Sequence, residues 1–423
     1  MERLKQYAQE KPAEVKARRA GRFPLVEGKL PTRFPRTASG IWSTVSTVLR
    51  GKTTESQPYD HSENIVWLFD NVAYQQQQQQ ADSAASSSEP QRWQVEVVAC
   101  AFVQGHNDIS KYIASIADHL GLDGKLGDNS EIQKRIEQRL RPLLYSVAPS
   151  LTMNIKIPSS SHRDSRVHHY GLGPTNSDGI ISQTVSTPHR FTTDRVALTS
   201  HLVGSQNTVA MKTTFAVPEG WLVISDIDDS IKVTQTSDAT GILRTTFAEE
   251  PRPIDGMPDF YKFVERQLQP VWVYLSASPY NLYQFLREFL NAYYHPGTLI
   301  LRENSWHDLG GFLKSYSMGT QAYKADRIDK IHGWLPQRKV LCVGDSTQSD
   351  PEAYAELYRK YPAWIRAIYI RKVTNIPNME DKNAESRFEK AFDGIPRNVW
   401  TVFEHPEELY KLVDGLKINE TTA

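Results

Sequence analysis

The sequence predicts an α/β protein, a doubly wound parallel sheet preceded by a small β-rich, sandwich-like segment. Three observations predict it. Short apolar, β-prone runs at Trp221–Ile224 (WLVI), Val271–Leu275 (VWVYL) and Val340–Val343 (VLCV) have the unbroken hydrophobicity of strands buried on both faces. Helical periodicity fills the intervals between them, as in KADRIDKIHGWL, where Ile328, Ile331 and Leu335 fall in step. Upstream of Val217, by contrast, strand-like segments follow one another with little helix between them, the pattern of a separate β-rich layer.

Taken in chain order, residues 1–90 read as an arm. It begins basic and proline-punctuated, with Lys5, Lys11, Lys16, Arg18, Arg19, Arg22, Lys29, Arg33 and Arg36. GIWSTVSTVLRGK then places Ile41, Trp42, Val45, Val48 and Leu49 on one helical face, which suits either an anionic lipid surface or the protein's own core. HSENIVWLFDNVAY (61–74) reads as a strand or short helix, and Gln75–Gln80 with the following ADSAASSSEP reads as disordered, low-complexity chain.

Residues 91–217 form the expected β-rich domain. WQVEVVACAFV (93–103) alternates as a strand, and EIQKRIEQRLRPLL (131–144) reads as a helix. Further strands are expected at Thr152–Ile157, Gly179–Val185, Arg195–His201 and Met211–Val217, with 158–170 as a loop holding His168 and His169. After the turn at Pro218–Gly220 comes the doubly wound domain, 218–412, and then a short tail, 413–423. Helices are expected over DFYKFVERQL and over the aromatic-rich Tyr280–Tyr294.

Composition narrows the function classes. The 423 residues include 49 basic and 49 acidic side chains, so no overall field draws the chain to nucleic acid, and an anionic partner must be met by a local patch. Cys100 and Cys342 sit in apolar runs with no second ligand at zinc spacing, which reads as buried free thiols in a reducing compartment. No segment approaches the ~20 consecutive apolar residues of a membrane span, and the charged start MERLKQYAQEK does not read as a signal peptide.

The chemistry is concentrated after the first buried strand. WLVISDIDDSIK puts Asp226, Asp228 and Asp229 at its carboxyl end, where open α/β sheets bind ligands. Like charges crowd there only if a cation, a lysine or hydrogen bonds compensate them. Two residues apart in a tight turn, Asp226 and Asp228 can face one pocket, with Ile227 turned to the core. Asp226 then suits a nucleophile and Asp228 a general acid and base in metal-assisted phosphoryl transfer; an acidic surface turn is the bland alternative. The other two runs also end in polar groups. Ser276-Ala277-Ser278 offers hydroxyls to a phosphate oxygen, Gly344-Asp345-Ser346-Thr347-Gln348-Ser349-Asp350 offers carboxylates, and Lys324 lies between. Ser278 rivals Ser276, Lys314 and Lys330 rival Lys324, and Asp350 before Pro351 also suits a helix cap.

That order of motifs resembles the haloacid dehalogenase superfamily of phosphatases. DIDDSIK, YLSASPYNLY, YKADRIDKI and VGDSTQSDPEAY more closely resemble the fungal actin patch phosphatidate phosphatase family, over about residues 216–412. The resemblance implies a haloacid dehalogenase-like fold with Asp226 as nucleophile, Asp228 as acid/base, Ser276 on the phosphate and Lys324 offsetting its charge. It also implies a Mg²⁺ site drawn from Asp226, Asp228, Asp345 and Asp350. Ser230 stands where threonine or valine is usual and keeps a hydroxyl. The implied substrate is phosphatidic acid at anionic membrane surfaces, cleaved to diacylglycerol and phosphate. The implied setting is the cytoplasm, peripheral to membrane, at cortical actin patches among endocytic proteins. A phosphatase of soluble phosphomonoesters or phosphoproteins, and a catalytically inert lipid-associated scaffold, are the rival readings.

Overall fold

The computed structural model describes residues 56–75, 92–105, 109–121, 130–159, 166–205, 209–303, 312–313, 316, 319–374 and 376–421. The basic arm, the Ile41–Leu49 face and nearly all of the glutamine and serine tract lie outside these residues. The first part of the chain supplies β1 (Gln57–Pro58), β2 (Asn64–Leu68), β3 (Asn71–Gln75) and β4 (Trp93–Val103). Helices α1 (Ser110–His119) and α2 (Ser130–Leu140) follow, then β5 (Ser146–Val147), β6 (Leu151–Pro158), β7 (Val167–Leu172), β8 (Ile180–Thr187), β9 (Val196–Leu202) and β10 (Ala210–Phe215). They form one ten-stranded mixed sheet in the order β1-β6-β9-β10-β3-β4-β2, with β5 and β8 also on β4 and β7 on β6. Alternate residues of β6, Leu151, Met153, Ile155 and Ile157, are buried in one apolar cluster with Val95, Val97 and Phe215.

Three sequence readings change here. The 61–74 segment is neither one strand nor a helix but two strands, β2 and β3, both antiparallel to the long β4. His168 and His169 lie on β7, paired with Ile157 and Lys156 of β6, rather than in a loop. The helix read over 131–144 ends at Leu140 and tightens into a 3₁₀ turn over Arg141–Leu144, because Pro142 has no amide hydrogen to continue it.

The second sheet has six parallel strands: β11 (Trp221–Asp226), β12 (Val271–Pro279), β13 (Thr298–Arg302), β14 (Lys339–Asp345), β15 (Ile365–Arg371) and β16 (Trp400–Phe403). Interleaved with them are α3 (Ala239–Leu243), α4 (Met257–Leu268), α5 (Tyr283–Tyr293), α6 (Thr320–Trp334), α7 (Asp350–Lys360), α8 (Glu385–Ala391) and α9 (Tyr410–Thr421). Every residue of β11 and β12 is buried, as the unbroken apolar runs predict. Leu222, Ile224, Val273 and Leu275 pack with Ile328 and Ile331 of α6 and Tyr354 and Leu357 of α7.

Strand order is β13-β12-β11-β14-β15-β16. The chain therefore runs outward from β11 to β13, then returns to the other side of β11. That reversal opens a crevice between the carboxyl ends of β11 and β14, where ligands of open α/β sheets bind. Polar and aromatic contacts bind the two sheets together: Asp70 takes two hydrogen bonds from Arg287 at 2.7 and 2.9 Å, and Phe69 stacks on Tyr283 with ring centres 3.8 Å apart.

Candidate active site

Asp226 is the last residue of β11, and its side chain is buried at the mouth of the crevice. Ile227 turns into the core at 0% exposure, so Asp226 and Asp228 leave the strand on the same side, as their spacing predicts. Lys324, on α6, donates from Nζ to Asp226 Oδ1 at 2.6 Å and also to Asp350 Oδ1. Ser230 Oγ lies 2.9 Å from Asp226 Oδ2 and 3.2 Å from Asp345 Oδ2, so the serine that replaces the usual threonine or valine reaches both carboxylates.

Asp345 ends β14, and Asp350 opens α7. Asp350 Oδ2 accepts the Asp345 amide at 3.0 Å, while Ser349 occupies the cap position of α7. The Asp350 carboxylate thus faces the site rather than capping the helix. Gly344 permits that approach, since a Cβ there would sit 2.5 Å from Asp350 Oδ2. Asp226, Asp345 and Asp350 can each offer an oxygen within 4.8 Å of the others. Three buried carboxylates facing one lysine leave a deficit of positive charge, and an all-oxygen donor set suits a hard divalent cation.

The electrostatics agree. Burial pushes the Asp226 carboxyl well above the usual carboxylate range; Lys324 pulls it down, and Asp350, Asp345 and Asp228 push it further up. Burial, Asp350 and Asp229 push Asp345 up to about 7. Burial alone would lower Lys324, but Asp226, Asp350 and Asp345 outweigh it and hold its ammonium above the ordinary lysine value.

Asp228 has a different environment. Its Oδ2 accepts from Ser276 Oγ at 2.6 Å and lies 3.2 Å from Ser278 Oγ, and its Oδ1 accepts from Thr234 Oγ1 at 2.9 Å. Its carboxylate is not among the three whose oxygens lie within 4.8 Å of one another. Ser276, assigned to phosphate by resemblance, has its hydroxyl on Asp228, as does its rival Ser278.

Asp229 is apart from both groups. Its φ of 65° lies in the left-handed region, and its carboxylate accepts the amides of Thr234, Gln235 and Thr236 at 2.9, 2.7 and 2.6 Å. The third carboxylate of the motif therefore shapes the loop that follows the turn. Downstream, Arg135 and Arg139 of α2 donate to the carbonyls of Ala248 and Thr246 at 2.7 and 3.1 Å, docking the segment after α3 on the first part of the chain.

Three buried residues escape sequence reasoning. Lys232 is 1% exposed, with Nζ donating to Thr234 Oγ1 at 3.0 Å; Tyr316 OH lies 2.8 Å from Ser278 Oγ. Lysines and threonines are ordinarily surface residues, and no periodicity marks these as buried. The one signal is proximity of Lys232 and Thr234 to the carboxylate turn.

Residues 221–372 match the family described as Phosphatidate phosphatase APP1, catalytic domain. The catalytic sheet of this chain is thus similar to the APP1 catalytic domain over those residues. The matched APP1 segment runs from β11 into the residue after β15 and contains all the carboxylates, hydroxyls and lysines described above. Over 246 residues the chain is 27% identical to Phosphatidate phosphatase APP1 of Saccharomyces cerevisiae, covering 57% of this chain and 41% of that protein. An uncharacterized protein of Schizosaccharomyces pombe is 26% identical over 205 residues, 46% of this chain and 32% of that protein. The chain thus spans less than half the length of either relative. A solved structure described as "The active site of a carbohydrate esterase displays divergent catalytic and non-catalytic binding functions" aligns with 85% of this chain and 98% of its own at 7% identity. Its TM-score of 0.20 carries no argument.

Proposed function

We propose that the chain is a Mg²⁺-dependent phosphatidate phosphatase with a haloacid dehalogenase-like catalytic fold. The observation that carries this reading is the buried group at the sheet's reversal point: Lys324 on Asp226 Oδ1 at 2.6 Å, with Asp345 and Asp350 in the same cluster. The choice of phosphatidate as substrate is supported by the similarity of residues 221–372 to the APP1 catalytic domain and of the chain to the yeast phosphatidate phosphatase.

In this reading a carboxylate oxygen of Asp226 attacks phosphorus, the ester P–O bond breaks, and Asp228 gives its proton to the departing alkoxide, releasing diacylglycerol. Asp228 then takes a proton from the water that opens the aspartyl-phosphate, which restores Asp226 and frees inorganic phosphate. Lys324 offsets the charge gathered on Asp226 and the phosphoryl oxygens, and Ser276 changes partner from Asp228 to a phosphoryl oxygen when substrate enters. Asp226, Asp345 and Asp350, together with Asp228 as the resemblance implies, would hold Mg²⁺, which would supply the positive charge that lets a phosphate dianion approach the carboxylates.

Among the described residues no helix is long and apolar enough to cross a membrane. By family resemblance alone, the protein meets its lipid peripherally, at an anionic cytoplasmic surface, with actin patch and endocytic proteins as partners. The deciding experiment is hydrolysis of phosphatidate in mixed micelles, with Mg²⁺ and with excess chelator, beside water-soluble phosphomonoesters. Lipid hydrolysis that stops with chelator is expected. Activity confined to soluble esters overturns the substrate, full activity in chelator overturns the metal, and no hydrolysis of either class leaves the inert scaffold.

A further inference from the structure

We infer that Lys232 and Thr234 are a positioning pair that fixes the Asp228 carboxylate for its proton transfer, an assignment that rests on the hydrolytic reading above. Lys232 is 1% exposed and Thr234 is 0% exposed. Placing an ammonium in such a site costs several kcal/mol unless it is well compensated. The turn itself does not require that ammonium, because it is closed by backbone: the Lys232 amide donates to Ile227 O at 2.9 Å and the Asp229 amide to Lys232 O at 2.8 Å. The side chain must therefore serve something else.

Its contacts identify what. Lys232 Nζ reaches Val233 O at 3.3 Å and Thr234 Oγ1 at 3.0 Å, and an ammonium can only donate. Thr234 Oγ1 accepts that bond, so its single proton points elsewhere. Asp228 Oδ1 is 2.9 Å away, and the alternative acceptor, Lys232 O, is farther at 3.4 Å. The same logic operates on the other oxygen. Ser276 Oγ accepts the Ser278 amide at 3.0 Å, which leaves its proton for Asp228 Oδ2 at 2.6 Å. Both oxygens of Asp228 are thereby held by hydroxyls whose own orientation is fixed by a donor behind them. When substrate draws Ser276 away, the Lys232–Thr234 arm is the one that still holds the carboxyl group in line with the leaving oxygen.

A residue that acts only through Asp228 affects the two proton transfers that Asp228 performs, and only the first, protonation of the leaving group, enters kcat/KM, because opening of the aspartyl-phosphate follows release of the alcohol. The test uses the full chain with Mg²⁺ on three substrates: dioctanoyl phosphatidate and glycerol 3-phosphate, whose alkoxides need a proton, and p-nitrophenyl phosphate, whose phenolate leaves without one. Lys232→Met and Thr234→Val should each lower kcat/KM on the alkyl esters by about 10- to 100-fold, part of the loss expected when a general acid is removed outright. On p-nitrophenyl phosphate kcat/KM should stay within about threefold, and Thr234→Ser, which restores the hydroxyl, should behave as wild type. Thr234→Val is nearly isosteric and carries the test alone if Lys232→Met is insoluble. Equal losses of kcat/KM on alkyl and aryl esters, or no loss on either, overturn the inference. Wild-type protein that cleaves glycerol 3-phosphate but not phosphatidate overturns the lipid assignment while leaving the alkyl-to-aryl comparison readable. Wild-type protein that cleaves none of the three overturns the hydrolytic reading and the pair with it.

Discussion

Asp226 and Asp228 are two residues apart on one turn and almost equally buried, at 1% and 2% exposure, yet they occupy chemically different halves of the crevice. Asp226 sits among charges: Lys324, Asp345 and Asp350. Asp228 sits among neutral hydroxyls from Ser276, Ser278 and Thr234. Burial therefore does not distinguish them. The neighbours do, and each half comes from a different part of the fold, the charged half from α6, β14 and α7 and the hydroxyl half from β12 and the loop after β11. Two carboxylates on one pocket can hold separate roles when their surroundings differ in this way. A carboxylate beside a fixed cation stays available for attack, while one held by hydroxyls can exchange a proton without disturbing that charge balance.

Substitution at Asp226 gives the largest effect. Asp226→Asn should leave no steady-state turnover of any phosphomonoester, because an amide does not form the acyl phosphate. Purified variant protein with measurable turnover would move the nucleophile elsewhere and erase the contrast. Asp228→Asn comes next, with a loss of about 10²- to 10⁴-fold in kcat/KM on alkyl esters and a much smaller loss in kcat/KM on p-nitrophenyl phosphate. Equal losses on both classes would show that the hydroxyl half has no separate role in leaving-group protonation.

Lys324→Met probes the charged half through stability. Removing one partner from a buried ion pair costs about 3–5 kcal/mol, and here it leaves Asp226, Asp345 and Asp350 facing one another. Urea unfolding in chelator should show that loss, and millimolar Mg²⁺ should restore part of it. A variant as stable as wild type in chelator would mean that the carboxylates are already neutral without the lysine.

The smallest effect is in the pH dependence of metal-free protein. Asp345 has a folded-state value near 7 against an ordinary 3.8, so between these values the folded form binds a proton that the unfolded form has lost. Its contribution to stability is therefore present at low pH and declines as pH rises from about 4 to about 7. Asp226, also raised, acts in the same direction, whereas raised Lys324 loses its contribution only at alkaline pH, outside that window. The difference in melting temperature between wild type and Asp345→Asn, followed in chelator across this range, should fall steadily for the wild type. A flat difference would show that Asp345 is ionised throughout. Mg²⁺ should flatten it at pH 7 by favouring the ionised carboxylates.

The sequence by itself determined the catalytic sheet and the candidate residues on it. Runs such as WLVI and VLCV have one low-energy environment, a strand covered on both faces, and polar groups at their ends fall at the carboxyl edge of a parallel sheet wherever that sheet forms. Asp226, Asp345, Asp350 and Lys324 were legible for that reason, since each lies at the end of a buried strand, at the start of the helix that follows it or on α6, whose isoleucines fall in step. The β-rich part was less legible. Its strands read clearly, but β7 and the split between β2 and β3 depend on pairing with distant partners, and no local pattern encodes a partner. Tertiary structure alone decided that Asp229 ties down a loop, that Lys232 is buried, and that Ser276 and Ser278 face Asp228. The physical reason is that a polar side chain's role is fixed by which donors and acceptors reach it within about 3 Å, and those arrive from segments tens of residues away once the chain has folded.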